Sequence, residues 1–224
     1  MIPKIQKSLS ERLEDLDFLK EESIPKKTTK KNRLFSKGEV KVLKGKYLEK
    51  FPNLQLKGLN IYGYEFGICY PRNRCYPIFI YQCIYVPKRA VVTVNYAYYD
   101  IEEAESIPGF QELLKMDEEL GAKRLYKTVK PQYFLVDEVI ENSYNGMVNT
   151  ESIDKGFEDI LTLFQQWYQG LDENYDDLPK ETEEFCRWKD YFKDKFFAKD
   201  YGYIATKRYL GKKWSDKVFK DYLR

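Results

Sequence analysis

Apolar residues near the start of the chain recur at helical intervals. Ile5, Leu9, Leu13, Leu16 and Leu19 are separated by charged residues, a spacing that predicts an amphipathic helix over 5–22. The next stretch, IPKKTTKKNR (24–33), has no periodicity and reads as a flexible basic connector. The pattern then changes. Runs rich in Val, Ile, Tyr and Phe over 40–46, 54–59, 60–70, 76–86 and 90–99 predict strands. Turn signals bound them: Pro52-Asn53, PRNR at 71–74 and PKR at 87–89. Such short connections make the strands neighbours in an antiparallel sheet. In YPIFIYQCIYV (76–86) both parities are apolar, which predicts a sheet covered on both faces rather than one open to water.

Beyond Asp100 the period lengthens again. Ser106-Ile107-Pro108 opens a predicted helix over 107–121, ended by Gly121. Residues 132–149 read as strand-like or irregular. In 153–170, Phe157, Ile160, Leu161, Phe164, Trp167 and Tyr168 fall on one helical face. A further aromatic-rich helix is predicted over 180–198, and two short ones over 203–209 and 214–223, either side of Gly211. One helix, then strands, then helices is the order of an α+β domain. The prediction is a single domain over 1–224, a three-layer α/β/α sandwich with a central, mostly antiparallel sheet, in which 1–33 supply an N-terminal helix and the basic connector.

Charge is unevenly distributed. Residues 151–184 hold eleven acids against Lys155 and Lys180, whereas 199–224 hold eight bases against Asp200, Asp216 and Asp221. A basic end can steer an acidic protein, a carboxylate ligand or nucleic acid, and it can equally be a solvated helix face. Twenty Tyr, fourteen Phe and three Trp suit a thick core as well as a pocket for a flat ligand. The chain has no histidine, which removes the usual neutral-pH general base and any Ser-His or Cys-His pair. Cys69, Cys75, Cys83 and Cys186 lack zinc-ligand spacing, so no metal is expected. With no signal-peptide core and no apolar run long enough to span a bilayer, the expectation is a cytoplasmic protein, or a stromal one in a plastid-bearing organism, with no membrane partner.

Three polar residues interrupt the strand run: Glu65, Gln82 and Asn95. By period-two counting Gln82 shares a face with Ile78, Ile80, Ile84 and Val86. Glu65 shares one with Gly63 and Gly67, and Asn95 with Thr93 and Ala97. Buried amides and carboxyls need partners. Each of the three is therefore either a satisfied network residue or part of a ligand-binding sheet face, with the small neighbours leaving room for the ligand.

Two ordered stretches carry a family resemblance. In KDYGYIATKRYLGKKWSDKVFKDYL (199–223), Asp200, Tyr209-Leu210-Gly211, Trp214 and Tyr222-Leu223 fill a pattern. In the strands, Tyr70-Pro71, Tyr76-Pro77-Ile78-Phe79 and Val86-Pro87 fill another. Together they resemble the ferredoxin-dependent bilin reductases, of which this chain would be a divergent member. The resemblance implies a helix-flanked antiparallel sheet binding a linear tetrapyrrole between sheet and C-terminal helices. It further implies reduction of biliverdin IXα, or a dihydrobiliverdin, by single electrons from reduced ferredoxin. The resemblance implies, too, that no flavin, metal or nicotinamide takes part and that protons would come from side chains and water through bilin radicals.

Carried over residue by residue, the resemblance makes Asp200 the principal proton donor and Glu65 a second acid. Gln82 takes the place of the family's central Asp, and Ile80 that of its Gly. An amide there can hydrogen-bond a bilin but cannot give up and recover a proton. Gln82 and Asn95 would orient the bilin, Phe66 and Phe79 would line its site, and Lys207, Arg208, Lys212 and Lys213 would meet its propionates or an acidic ferredoxin. The arginine that the family places before its large helix has no counterpart in 144–148. Replacement of the central Asp keeps a second reading open, a bilin- or haem-binding carrier or sensor with impaired catalysis. A third is an interaction module whose basic segments meet nucleic acid or an acidic protein. The leading reading expects no nucleic-acid partner and a monomer.

Overall fold

A computed structural model describes residues 5, 7–58, 61–130, 139–140 and 144–224. Its centre is a sheet of strands β1 (Lys20–Glu21), β2 (Lys30–Arg33), β3 (Ser36–Lys44), β4 (Leu48–Gly58), β5 (Tyr62–Pro71), β6 (Ile78–Val86), β7 (Arg89–Ala97), β8 (Lys127–Thr128), β9 (Val139–Ile140) and β10 (Asn145–Val148). The order is β1-β3-β4-β5-β6-β7-β10-β8, with β2 beside β3 and β9 beside β7, and every pairing is antiparallel. Short connections impose this, as at the β6–β7 hairpin, where Val86 pairs with Arg89 across Pro87-Lys88 and Lys88 takes φ 76°.

Helices cover both faces, so the three-layer sandwich is the observed architecture. On the back lie α1 (Leu9–Glu14), α3 (Ile101–Ser106), α4 (Phe110–Arg124) and α5 (Ile153–Asn174), whose Leu9, Leu13, Phe110, Phe157, Phe164 and Trp167 pack on Phe79, Tyr81, Tyr85, Val92, Val94 and Tyr96. On the front lie α6 (Glu183–Lys199), α7 (Tyr201–Leu210) and α8 (Lys212–Val218), whose Phe192, Phe196, Leu210, Trp214 and Val218 pack on Leu54, Leu56, Phe66, Ile68, Ile78 and Ile80. Alternation within β6 is thus between two cores. That explains why both of its parities are apolar. Among the described residues no helix is long and apolar enough to cross a membrane.

Three sequence expectations need correction. The first helix is confined to Leu9–Glu14, started by a capping box between Ser8 and Glu11 and stopped at Asp15, after which the chain turns into edge strand β1. The connector 24–33 is ordered: a helical turn α2 (Lys26–Thr29) leads into β2, whose Lys30 to Arg33 pair with Glu39 to Ser36. Pro52-Asn53 is no turn. Pro52 sits inside β4 opposite Val42, and on the other side the β4–β5 ladder lapses at 51–52, where the missing proline N–H costs nothing. Of the 132–149 region, 132–138 and 141–143 lie outside the described residues, and the rest is strand at 139–140 and 145–148.

Candidate functional site

The front helices change direction at Asp200. It ends α6 and caps α7, with extended φ −64° and ψ 124°, and its Oδ1 accepts the Gly202 N–H at 2.8 Å. The residue is buried at 1 % exposure, and Oδ2 has no partner among the described residues. Burial raises its pKa from the ordinary 3.8 to about 7, against the pull of the Gly202 and Tyr203 backbone amides. A carboxyl raised this far can hold a proton and release it near neutral pH.

Tyr64 reaches the same corner from β5. Its side chain is wholly buried and its Oη also lacks a partner among the described residues. It fits only because residue 202 is glycine, since a Cβ there would stand 2.1 Å from the Tyr64 Oη. Burial first, and then the Asp200 charge, push the phenol well above its usual range. Tyr62, two residues along the same face, stacks on Tyr209 of α7 with ring centroids 5.3 Å apart. Its phenol is likewise raised by burial and by the nearby Tyr209 and Asp200.

Register extends the site across the sheet. Phe66 pairs with Gln82 and Gln82 with Thr93, so all three point to the front, as do Tyr64 and Asn95. The front helices cover only part of this face. Ile78 and Ile80 are buried, but Gln82, Ile84 and Val86 of β6 and Val91 and Thr93 of β7 are half-buried. An apolar floor of Ile84 and Val91 therefore lies beside polar Gln82 and Thr93, with Asn95 buried at its inner edge. The Asn95 Oδ1 has no partner among the described residues. Asn145, in register with Thr93, adds a further amide to this face and donates to the Val94 carbonyl at 3.3 Å.

The back face behaves in the opposite way. Glu65 is buried there and accepts from Leu9 N at 2.7 Å, Gln55 Nε2 at 3.2 Å and Tyr85 Oη at 3.2 Å. Burial raises its pKa, and those bonds hold it down only in part. Asp159 accepts from Tyr144 Oη and Arg124 Nε, both at 2.7 Å, and Asn53 accepts from Tyr81 Oη at 2.7 Å. Of the buried side-chain atoms without a partner among the described residues, Ser10 Oγ on α1 and Arg74 Nε in the β5–β6 connection lie elsewhere, whereas Tyr64 Oη, Asn95 Oδ1 and Asp200 Oδ2 lie on the front. An orphaned polar atom costs about 1–3 kcal/mol. Several such atoms around one open patch make it the candidate ligand site.

The structure therefore separates the sequence-predicted residues. Asp200, Gln82, Asn95 and Phe66 share the front. Glu65 and Phe79 point to the back, with the whole sheet between them and Asp200. The small neighbours of Glu65 leave room for protein instead of ligand: Gly63 and Gly67 lie opposite Tyr85 and Tyr81, whose rings occupy the space a Cβ would need. Lys207, Arg208 and Lys212 are exposed on α7 and α8, with Lys207 over the Tyr203 ring and Arg208 over the Tyr209 ring. Tyr64 and Asn145 were not singled out from the sequence. One tyrosine among twenty carries no signal until its burial and its missing partner are seen. No group of three potential metal ligands occurs among the described residues.

No protein-family model and no curated protein matches the chain. Among solved structures, phytochromobilin synthase from tomato, crystallised in complex with biliverdin, is similar to it with a TM-score of 0.73 at 14% sequence identity, over 96% of this chain and 79% of that one. At that identity the likeness concerns the fold, and the chain has the helix-flanked antiparallel fold of tomato phytochromobilin synthase.

Proposed function

We propose that this protein is a ferredoxin-dependent bilin reductase acting on biliverdin IXα or a dihydrobiliverdin. The observation that carries the reading is Asp200: a fully buried carboxyl with one unpaired oxygen and a pKa near 7, beside a half-open sheet face bearing further unpaired polar atoms. The fold likeness to a biliverdin complex supports it. The bilin lies on Ile84 and Val91 with its edge toward Asp200 and Tyr62. Gln82 and Asn95 hydrogen-bond its nitrogens and oxygens and fix its position.

Reducing one bilin double bond takes two electrons and two protons. The electrons come singly from reduced ferredoxin, and the exposed Lys207, Arg208 and Lys212 suit an acidic donor. Each electron raises the basicity of the bilin. The Asp200 carboxyl then transfers its proton to it and is reprotonated from water. Gln82 holds the substrate without exchanging protons. Glu65 belongs to the anchoring of α1, since the sheet stands between it and the bilin.

The test is anaerobic. The protein is mixed with biliverdin, and reduced ferredoxin is added while absorbance is followed. Conversion through a transient radical band to a blue-shifted product, stalled by Asp200→Asn, is the expected result. A bound spectrum that never changes would leave a bilin carrier, the outcome that the glutamine at position 82 makes worth testing. No spectral change on mixing would end the bilin reading.

A further inference from the structure

The corner between β5 and α7 holds a second group besides Asp200 that its surroundings leave without a partner, Tyr64. The two reach it from separate parts of the chain. Tyr64 is fixed from below by the β5 backbone, with its ring parallel to Phe66 at a centroid distance of 6.4 Å. Asp200 is fixed from above by the start of α7, where Oδ1 is engaged by the Gly202 N–H and only Oδ2 is left over. Gly202 joins them, because the same residue that caps to Asp200 makes way for the Tyr64 hydroxyl. A phenol donates one hydrogen bond, and a protonated carboxyl donates another from its free oxygen. Two donors converging in a dry corner are what a carbonyl oxygen acquiring negative charge requires, and a buried tyrosine beside a neutral buried aspartic acid is a known way to build such a site.

Resting on the bilin reading above, we infer that Tyr64 is a positioning residue which, together with the protonated Asp200, binds one terminal lactam oxygen of the bilin and stabilises the charge that electron uptake places on it. The neighbouring geometry agrees. Tyr62 and Tyr209 form an aromatic wall at the outer side of the corner, and Ile84, which pairs with Tyr64 in register, continues the floor toward Gln82. A terminal ring entering between wall and floor presents its oxygen inward. Asp200 then acts twice, as a donor that polarises the lactam and as the source of the proton. Tyr64 never exchanges a proton, because its phenol is held neutral throughout.

The inference is read from the lactam C=O stretch of bound biliverdin by resonance Raman, assigned with bilin carrying ¹⁸O at the lactam oxygens. In the unaltered protein this stretch is expected below that of biliverdin in aprotic solvent. Tyr64→Phe, which removes only the hydroxyl, moves it back up and weakens binding about tenfold. Gly202→Ala, whose Cβ would stand 2.1 Å from the hydroxyl and 2.6 Å from the ring carbon that bears it, displaces the hydroxyl together with that edge of the ring and gives the same two effects. A stretch in the unaltered protein equal to that in aprotic solvent overturns the inference. So does a lowered stretch that neither variant moves. Both outcomes leave bilin binding intact. Failure of the unaltered protein to bind biliverdin overturns the bilin reading together with this one.

Discussion

Replacing Asp200 by Asn should make the folded protein more stable, and only above a certain pH. The folded-state pKa of Asp200 is about 7 against an ordinary 3.8, because burial penalises the charged form. Below pH 4 the group is protonated in both the folded and the unfolded chain, and the substitution changes little. Asparagine keeps an oxygen for the Gly202 N–H and, like the carboxyl, leaves one polar atom unpaired. Between pH 4 and 7 the unfolded chain ionises while the folded one resists. The wild type therefore loses about 1.4 kcal/mol per pH unit from this group, reaching a total of about 4 kcal/mol above pH 7. The sign follows from a raised acid: its contribution is complete below the unfolded pKa and gone above the folded one.

Urea unfolding followed by tryptophan fluorescence at pH 4, 6 and 8 measures this directly, since Trp167 and Trp214 are buried in the back and front cores respectively. The excess stability of the variant should be near zero at pH 4, intermediate at pH 6 and about 4 kcal/mol at pH 8, a midpoint shift of more than about 1 M urea. Glu65 also titrates with a raised pKa, but it is present in both proteins and cancels in the difference. An excess that is the same at all three pH values would refute the assignment of a buried, neutral carboxyl to position 200. So would a wild type more stable than the variant at pH 8.

Glu65→Gln should leave biliverdin affinity unchanged while costing about 1–3 kcal/mol of stability, because the amide offers one acceptor oxygen where Leu9 N, Gln55 and Tyr85 donate to two; loss of binding by the folded variant would return Glu65 to the site. Gly67→Ala should destabilise by about 1–3 kcal/mol, since its Cβ would lie 2.3 Å from the Tyr81 ring and 2.8 Å from Asn53 Oδ1; an unchanged urea midpoint would count against the Gly67–Tyr81 packing. Lys207→Gln, Arg208→Gln and Lys212→Gln combined should lower ferredoxin-dependent turnover at low ionic strength and flatten its salt dependence without altering the final bilin product; a loss that does not depend on salt, accompanied by weaker biliverdin binding, would assign these bases to the propionates.

The layered fold was legible because it is written in local patterns. YPIFIYQCIYV carries apolar side chains of both parities, and only a strand between two cores needs that. The misreadings have non-local causes. Lys30 to Arg33 carry no apolar pattern, yet they form a strand because β3 offers them a free edge. Pro52 looks like a turn until the lapse in the β4–β5 ladder is known. Gly63 and Gly67 did report an unusual space on the Glu65 face. What fills it are two cross-strand tyrosines, and sequence alone does not pair Gly63 with Tyr85 or Gly67 with Tyr81. Asp200 was found through resemblance, and its local role as the hinge cap between α6 and α7 explains why an acid at that position is also buried.

The two faces of one sheet divide the work between them, and the division follows from the period of a strand. Adjacent residues Tyr64 and Glu65 are chemically similar, being large, polar at the tip and fully buried. They differ in which core receives them. Toward the back, Glu65 meets a helix N-terminus, an amide and a phenol that satisfy it, and the result is anchorage for α1. Toward the front, Tyr64 meets a glycine and an acid already committed to its cap, and its hydroxyl is left for something else. A shift of one residue in the β5 register would exchange the two and abolish both arrangements. The register is pinned by the tyrosines lying on Gly63 and Gly67, which admit no other side chain at those positions. The back-face packing therefore determines which face receives Tyr64 and its unpaired hydroxyl, and on the proposed bilin reading substitutions at Gly63 or Gly67 should impair biliverdin binding from the far side of the sheet.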